Sequence, residues 1–174
     1  MKKLLIVVDM QKDFVDGALG TPEAQKIVDK VVEKIKGFDG DVIATLDTHA
    51  PDYMQTQEGA KLPVPHCIKG TDGWKLIPAV DAALEEKGYT AVEKPTFGSV
   101  TLPELLARKY NTSELQIELV GLCTDICVVS NALLLKAFFP EVPICVDAAC
   151  CAGVTPESHQ AALQTMASCQ ITVG

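Results

Sequence analysis

Short aliphatic runs recur along the chain and alternate with longer stretches in which apolar residues fall three or four positions apart. A short aliphatic run bounded by polar residues is typical of a strand that is buried on both faces of a parallel sheet. Such runs predict strands at Leu4–Val8, Val42–Leu46, Thr90–Val92, Leu115–Val120, Val142–Val146 and Ile171–Val173.

Helices are predicted between these strands. Thr21 followed by Pro22 is a helix start, because the hydroxyl caps the first turn and proline is tolerated there, and Gly37 ends the run. Further helices are predicted around Leu76–Leu84, near Thr101, after Asp125 and from Thr155. Strands that alternate with helices imply right-handed crossovers and a parallel sheet with helices on both sides.

Composition and charge fit one domain, 1–174. In a chain of 174 residues a second autonomous core would leave both halves small, and the 48% of hydrophobic residues can fill one core. The net charge of −8 disfavours a nucleic-acid or anionic-membrane partner, because no basic patch is visible that would neutralise phosphates.

The cysteines and the amino-terminal segment indicate a reducing compartment. The seven cysteines include no C-x-x-C pair and lie mostly in apolar runs, unlike those of a secreted disulfide scaffold. The aliphatic run Leu4–Val8 is too short for a signal peptide or a membrane span. We therefore expect a cytoplasmic protein with reduced thiols and no membrane partner.

Three polar residues stand where predicted strands end. Asp9 follows the first strand, Lys94 follows the third, and Cys127 begins the helix after the fourth. Ligands of an open parallel sheet bind beyond the carboxyl ends of its strands, so a carboxylate, an amine and a thiol there form a candidate nucleophilic site. Taken singly, each is better explained as a packing, turn or surface residue. Their joint placement favours catalysis.

The position of Cys127 predicts a reactive thiolate. Unpaired backbone N–H groups and the helix dipole in the first turn of a helix lower the pKa of a thiol from its ordinary value of about 8.5. A nearby Lys94 ammonium is expected to lower that pKa further. Asp9 is expected to take the thiol proton and to hand it to a leaving nitrogen.

A polar excursion from Asp47 to about Gly73 is too long for an ordinary connection, so we expect it to be functional. Residues two apart in an extended segment point the same way, so Asp47 and His49 can share one cation. With His66, and more weakly Glu58, they form a set that suits Zn²⁺, Mn²⁺ or Fe²⁺. From spacing alone, a polar loop with incidental histidines explains them equally well.

Candidate substrate contacts lie near the same polar residues. Phe14 and Phe97 are close in sequence to Asp9 and Lys94, where they could form walls against which a flat ring stacks. Core packing is the alternative for either one. We group them with Leu19 as candidate substrate-binding residues.

Several motifs together resemble one enzyme family. The segments IVVDMQKDFVDGALG, ATLDTH, LPVPHCIKGTDGW, VEKPTFGS and VGLCTDICV are similar, in this order, to those of the isochorismatase-like cysteine hydrolases, and most of all to those of the nicotinamidases. The match covers most of the chain. Its last segment, taken with the lysine and the DxH and PHC motifs, is the most specific part.

The resemblance implies a three-layer α/β/α sandwich around a six-stranded parallel sheet. It also implies a cis peptide bond at Leu122–Cys123 and, because relatives often self-associate, a homo-oligomer. The functional residues that it implies are the catalytic Asp9, Lys94 and Cys127, an oxyanion hole of the Cys123 and Cys127 backbone N–H groups, the metal ligands Asp47, His49 and His66, and Glu58 as a fourth ligand that only some members have.

The implied activity is hydrolysis of nicotinamide to nicotinate and ammonia in NAD salvage. A thioester would form on Cys127, and a divalent metal, zinc before manganese or iron, would bind the ring nitrogen. An isochorismate hydrolase shares the fold but requires neither the thiol nor the metal cluster. Hydrolases of ureido or carbamoyl compounds also use the thiol and stay open. A binding module or a redox sensor is disfavoured, because the acid, the amine and the thiol are all present.

Overall fold

One six-stranded parallel sheet organises residues 1–174 in this computed structural model, with strand order β3-β2-β1-β4-β5-β6. The strands are β1 Lys2–Val8, β2 Asp41–Asp47, β3 Thr90–Lys94, β4 Leu115–Leu122, β5 Ile144–Ala152 and β6 Thr172–Val173. The helices are α1 Lys12–Val15, α2 Pro22–Gly37, α3 Gln57–Lys61, α4 Pro78–Lys87, α5 Thr101–Lys109, α6 Val129–Phe138 and α7 Pro156–Ser168.

Helices cover both faces of the sheet, which confirms the predicted α/β/α arrangement. In β1, Leu4, Ile6 and Val8 pack on one face against α5, α6 and α7, whereas Leu5 and Val7 pack on the other against α2 and α4. All five side chains are fully buried, which explains why this strand is aliphatic throughout instead of alternating. Burial of both faces supplies the main hydrophobic stabilisation.

Helix boundaries follow capping and proline chemistry. The Thr21 hydroxyl accepts a hydrogen bond from the Ala24 N–H at 3.0 Å, and Pro22 is the first residue of α2, as predicted. Helix α4 begins at Pro78 and not at the predicted Leu76, because proline is accommodated in the first turn of a helix. The longest helix, α2, has 16 residues, and none combines the length and hydrophobicity that crossing a bilayer requires.

Several strands run further than predicted. Strand β3 includes Lys94, β4 reaches Leu122, and β5 continues to Ala152 after an irregularity in its pairing with β4. Gly121, near the end of β4, has φ +118°, and a Cβ there would lie 2.2 Å from the Val8 carbonyl oxygen. Only glycine allows β4 to approach β1 so closely at this position.

The segment after β4 differs from the predicted helix start. Thr124–Val128 form a single π-helical turn, which is wider than a turn of α-helix: the Val128 N–H donates to the Cys123 carbonyl, five residues earlier, at 3.0 Å. The regular α-helix begins only at Val129. Cys127 therefore lies in this turn and not in the first turn of α6. Wide turns of this type occur frequently at functional sites.

Candidate active site

The carboxyl ends of four strands bring the predicted residues to one edge of the sheet. Asp9 follows β1, Asp47 and Lys94 are register partners at the ends of β2 and β3, and Cys127 follows β4. Because the strands are parallel, their carboxyl ends meet at the same edge, where open α/β sheets bind ligands.

Asp9, Lys94 and Cys127 lie in contact. The Lys94 Nζ is 2.7 Å from Asp9 Oδ2 and 3.3 Å from Cys127 Sγ, and it donates to the Thr96 carbonyl at 3.1 Å. The Thr45 hydroxyl donates to Asp9 Oδ1 at 2.6 Å. Lys94 and Asp9 thus form a close ion pair. Both side chains are fully buried.

The electrostatics of this group correct one prediction. Burial, reinforced by the Asp9 carboxylate, raises the pKa of Cys127 well above its ordinary value, although Lys94 opposes the shift. The thiolate expected from the sequence is therefore wrong for the resting site. Burial also raises the pKa of Asp9 against the effect of Lys94. Burial alone would lower the pKa of Lys94, but Asp9 and Cys127 more than offset it. The site thus holds a neutral thiol, a carboxyl group whose pKa is raised, and a lysine that stays charged.

The backbone beside the thiol has the form that the resemblance implies. The Leu122–Cys123 peptide bond is cis. The Cys123 N–H has no backbone acceptor in the chain, and both Cys123 and Cys127 line the same cavity. Burial raises the pKa of the Cys123 thiol to about 12, so this side chain is a neutral neighbour of the candidate nucleophile.

A cluster of metal-ligating side chains adjoins the three residues. Asp47 Oδ2 lies 3.0 Å from His49 Nε2 and 3.5 Å from His66 Nε2, and Glu58 Oε1 lies 3.6 Å from both imidazole nitrogens. Asp47, His49 and His66 are buried, and their ligand atoms all lie within 4.8 Å of one another. The long excursion therefore folds back so that residues 19 positions apart, His66 and Asp47, meet.

This cluster fits a divalent ion. Ligand atoms about 2.1 Å from a tetrahedral ion lie about 3.4 Å apart, and the four separations between carboxylate oxygen and imidazole nitrogen, 3.0–3.6 Å, are close to this value. His66 Nδ1 donates to the Val64 carbonyl at 2.8 Å, which leaves the Nε2 lone pair facing the cluster. Burial would raise the pKa of Asp47, but the adjoining imidazoles and the Lys94 ammonium lower it, so its carboxylate is ionised and able to act as a ligand.

A cavity of about 230 Å³ opens beside both groups. Its lining includes the three candidate substrate contacts, Phe14, Leu19 and Phe97. The Phe14 ring centroid lies 5.4 Å from that of His66, so one wall touches the metal-ligating cluster. The remaining lining residues are Thr21, Asp47, Glu58, Leu62, His66, Cys123, Ile126, Cys127 and Val154.

Two polar residues that the sequence analysis missed hold the metal-ligating excursion in place. The buried Gln11 amide donates to the carbonyls of Asp47 and Trp74 and accepts from the Asp47 N–H, each at 2.8 Å. Asp13 Oδ2 accepts from the Cys67 N–H at 2.8 Å, next to His66. Both belong to the DMQKDF motif, in which they are two positions apart. This spacing was the feature of the sequence that could have indicated a shared role for them.

The third histidine of the chain, His159, is not part of the metal-ligating cluster. It lies half-buried on α7, and its Nδ1 is 2.7 Å from the hydroxyl of Thr124, a fully buried residue of the turn that carries Cys127. Burial lowers the pKa of this imidazole. The contact ties the last helix to the candidate nucleophile turn, and no sequence pattern indicated the pairing.

Fold and site together define an α/β enzyme of the open parallel-sheet class with a buried cysteine at the carboxyl edge of the sheet. The profile of the Isochorismatase domain family matches residues 3–174. The chain belongs to this family, and the resemblance drawn from its motifs is confirmed.

Individual relatives agree with this assignment. A Bacillus subtilis (strain 168) protein described as an uncharacterized isochorismatase family protein, PncA, is 31% identical over 97% of this chain and 96% of its own length. The crystal structure of nicotinamidase/pyrazinamidase PncA from Bacillus subtilis superimposes with a TM-score of 0.86 at 28% identity, with both chains covered completely.

Two further solved structures are similar. The Pyrococcus horikoshii pyrazinamidase in complex with zinc has a TM-score of 0.82 at 26% identity, with 100% of this chain and 99% of that chain covered. The N-carbamoylsarcosine amidase of Thermoplasma acidophilum has a TM-score of 0.74 at 28% identity, with coverage of 99% and 95%. The family and these neighbours indicate an amidohydrolase.

Proposed function

We propose that this chain hydrolyses nicotinamide to nicotinate and ammonia through a thioester on Cys127. The observation that carries the proposal is the position of the Lys94 ammonium, 2.7 Å from the Asp9 carboxylate and 3.3 Å from the Cys127 sulfur, beside a small cavity that Asp47 and His66 also line. The similarity to nicotinamidase structures supports the choice of substrate.

In the first stage the Cys127 thiol passes its proton to the Asp9 carboxylate, and the sulfur adds to the carboxamide carbon. The carbonyl oxygen, on which negative charge develops, accepts hydrogen bonds from the backbone N–H groups of Cys123 and Cys127. Asp9 then gives its proton to the amide nitrogen, the C–N bond breaks, and ammonia leaves. Lys94 keeps its charge throughout, because its pKa is raised.

In the second stage water attacks the thioester carbon and gives a proton to Asp9. The C–S bond breaks, Asp9 returns the proton to the Cys127 sulfur, and the acid leaves as nicotinate after it releases the second proton of the water to solvent. A carboxyl group whose pKa is raised by burial suits this task, because proton exchange is most efficient when the pKa of the group approaches the working pH.

Asp47, His49, His66 and Glu58 would hold a divalent ion at the floor of the cavity, with zinc the first choice and manganese or iron as alternatives. When bound, the ion supplies a positive charge and a template for orienting the substrate. Phe14 and Phe97 would flank a flat ring, with Leu19 beside them.

The cellular setting follows from the proposed reaction. Nicotinamide arises from NAD turnover, so we place the activity in the cytoplasm and in NAD salvage. We also propose that residues 1–174 act as one isochorismatase-like domain and that the protein self-associates. Sedimentation at several concentrations tests self-association, and a single monomer mass throughout would exclude it.

The test of the proposal is ammonia release from nicotinamide by the wild type and by a Cys127→Ala variant. We expect the variant to lose roughly 10³-fold or more of kcat while elemental analysis shows the same metal content. The exposed Cys169 is the matched control, and Cys169→Ala should match the wild type. Substantial turnover by Cys127→Ala would exclude the covalent mechanism.

A carbamoyl hydrolase is the second candidate, because the N-carbamoylsarcosine amidase neighbour is as similar in sequence as the Bacillus subtilis structure. Both reactions release ammonia, so a panel of nicotinamide, pyrazinamide and N-carbamoyl amino acids separates them. A kcat/KM that is highest for an N-carbamoyl compound, in protein with metal content near zero, would favour this alternative.

A further inference from the structure

The cavity beside Cys127 has an ordered apolar mouth. Three large apolar side chains that line the cavity are also substantially exposed: Leu62 at 39%, Phe97 at 46% and Val154 at 49%. They come from three separate segments, which follow α3, β3 and β5. A single exposed aliphatic residue requires no explanation, whereas several that converge on one opening mark a site that binds apolar groups.

Hydrogen bonds fix the backbone at each of these three positions. The Leu62 carbonyl accepts from the Tyr53 hydroxyl at 2.8 Å. The Phe97 carbonyl accepts from the Asn131 side-chain amide at 3.1 Å, and the Val154 N–H donates to Asp125 Oδ1 at 3.1 Å. The mouth is therefore preorganised, so a ligand does not have to order it on binding.

The polar groups that line the cavity already have partners elsewhere. Asp47, Glu58 and His66 belong to the metal-ligating cluster, and the Thr21 hydroxyl is occupied as the cap of α2. The exposed lining residues of the cavity are thus all apolar, whereas its buried polar lining residues, Asp47 and His66, belong to the metal-ligating cluster. A volume of about 230 Å³ suits a small ring amide, whose further substituents would extend into the mouth.

From this arrangement we infer that the preferred substrates are carboxamides with a short apolar substituent on the side away from the amide, seated between Leu62, Phe97 and Val154. The inference rests on the proposed amidase function. Burial of one methylene contributes about 0.8 kcal/mol, or about fourfold in affinity. Because the mouth is partly open, the expected gain is about two- to fourfold in kcat/KM for each added methylene.

The test compares nicotinamide with its 5- or 6-methyl, ethyl and propyl derivatives, by ammonia release. We expect kcat/KM to rise along at least one of the two series. Leu62→Ser and Val154→Ser should flatten that rise, whatever they do to the unsubstituted amide. The control is Val100→Ser, because Val100 is 70% exposed and does not line the cavity, and this variant should retain the wild-type gradient.

The outcomes separate this inference from the proposed function. If no amide is hydrolysed, the amidase proposal itself fails. If nicotinamide is hydrolysed well but kcat/KM stays flat or falls along both series, the apolar subsite is refuted and the amidase proposal stands. A flat response together with a concentration-dependent dimer that Leu62→Ser dissociates would assign the mouth to a second copy of the chain instead.

Discussion

The ion pair between Lys94 and Asp9 yields a quantitative prediction for stability. Both side chains are fully buried and lie 2.7 Å apart, and Lys94 is the cation paired with this carboxylate, which also accepts a hydrogen bond from the Thr45 hydroxyl. Lys94→Met removes the charge but keeps a long apolar stem, and it leaves Asp9 buried with no counter-ion. Removing one partner of a buried pair costs about 3–5 kcal/mol, which in a protein of this size lowers Tm by about 6–20 °C.

Guanidinium denaturation followed by circular dichroism measures this loss, with and without chelator. The control is Lys69→Met, because Lys69 pairs with Glu93 at a similar 2.8 Å while the two side chains are 60% and 42% exposed. That substitution should cost less than about 1 kcal/mol.

A double-mutant cycle with Asp9→Asn completes the test. The double variant should lose clearly less stability than the sum of the two single variants, because neutral side chains then replace both charges. Equal losses for Lys94→Met and Lys69→Met, or additive effects in the cycle, would show that the buried pair is not what holds the site together.

Three further predictions concern other parts of the molecule. Gln11→Ala should weaken zinc binding about 10- to 100-fold in chelator competition, because the amide that fixes the backbone of a candidate ligand is lost; unchanged affinity would assign the amide a purely structural role. Burial would raise the pKa of Asp147, but Lys34 at 2.7 Å lowers it. The stability that this carboxylate contributes is therefore present above its unfolded pKa of about 3.9, and it is lost as pH falls through the lowered pKa of the folded state. Asp147→Asn should flatten the pH dependence of the unfolding free energy in this acid range, and an unaltered slope would contradict the prediction. Gly121→Ala should cost more than about 3 kcal/mol, because it combines a positive φ with a backbone clash, whereas Gly37→Ala, with open space around its Cβ, should be neutral or slightly stabilising by thermal denaturation.

Most of the fold was predictable because its strands are buried on both faces. Aliphatic runs such as Leu4–Val8 have few competing interpretations, and proline and threonine mark helix starts. The ends of β4 and β5 were less predictable, because glycine follows the aliphatic core of β4, and aspartate and alanine follow that of β5. Those residues are poor strand formers by propensity, and pairing with neighbouring strands overrides it.

The composition of the candidate site was predictable, but its electrostatics were not. Because Asp9, Lys94 and Cys127 stand where predicted strands end, they were expected at one edge of the sheet, and in the structure they lie in contact there. The sign of the pKa shift at Cys127 depends on burial, which local sequence does not reveal, and here desolvation exceeds the effect of the nearby cation. Supporting contacts such as Gln11 with Asp47 join side chain to backbone across 36 positions, and no local pattern encodes them.

The place of β3 in the sheet has a consequence for how this protein loses activity. Strand β3 is outermost and is hydrogen-bonded on one side only, to β2, and its last residue is Lys94. Edge strands exchange their amide hydrogens through local fraying, which leaves the centre of the sheet intact. Fraying here withdraws the ammonium from its carboxylate partner, so mild denaturant should inactivate the protein before the other strands melt, in step with deuterium uptake along Thr90–Lys94.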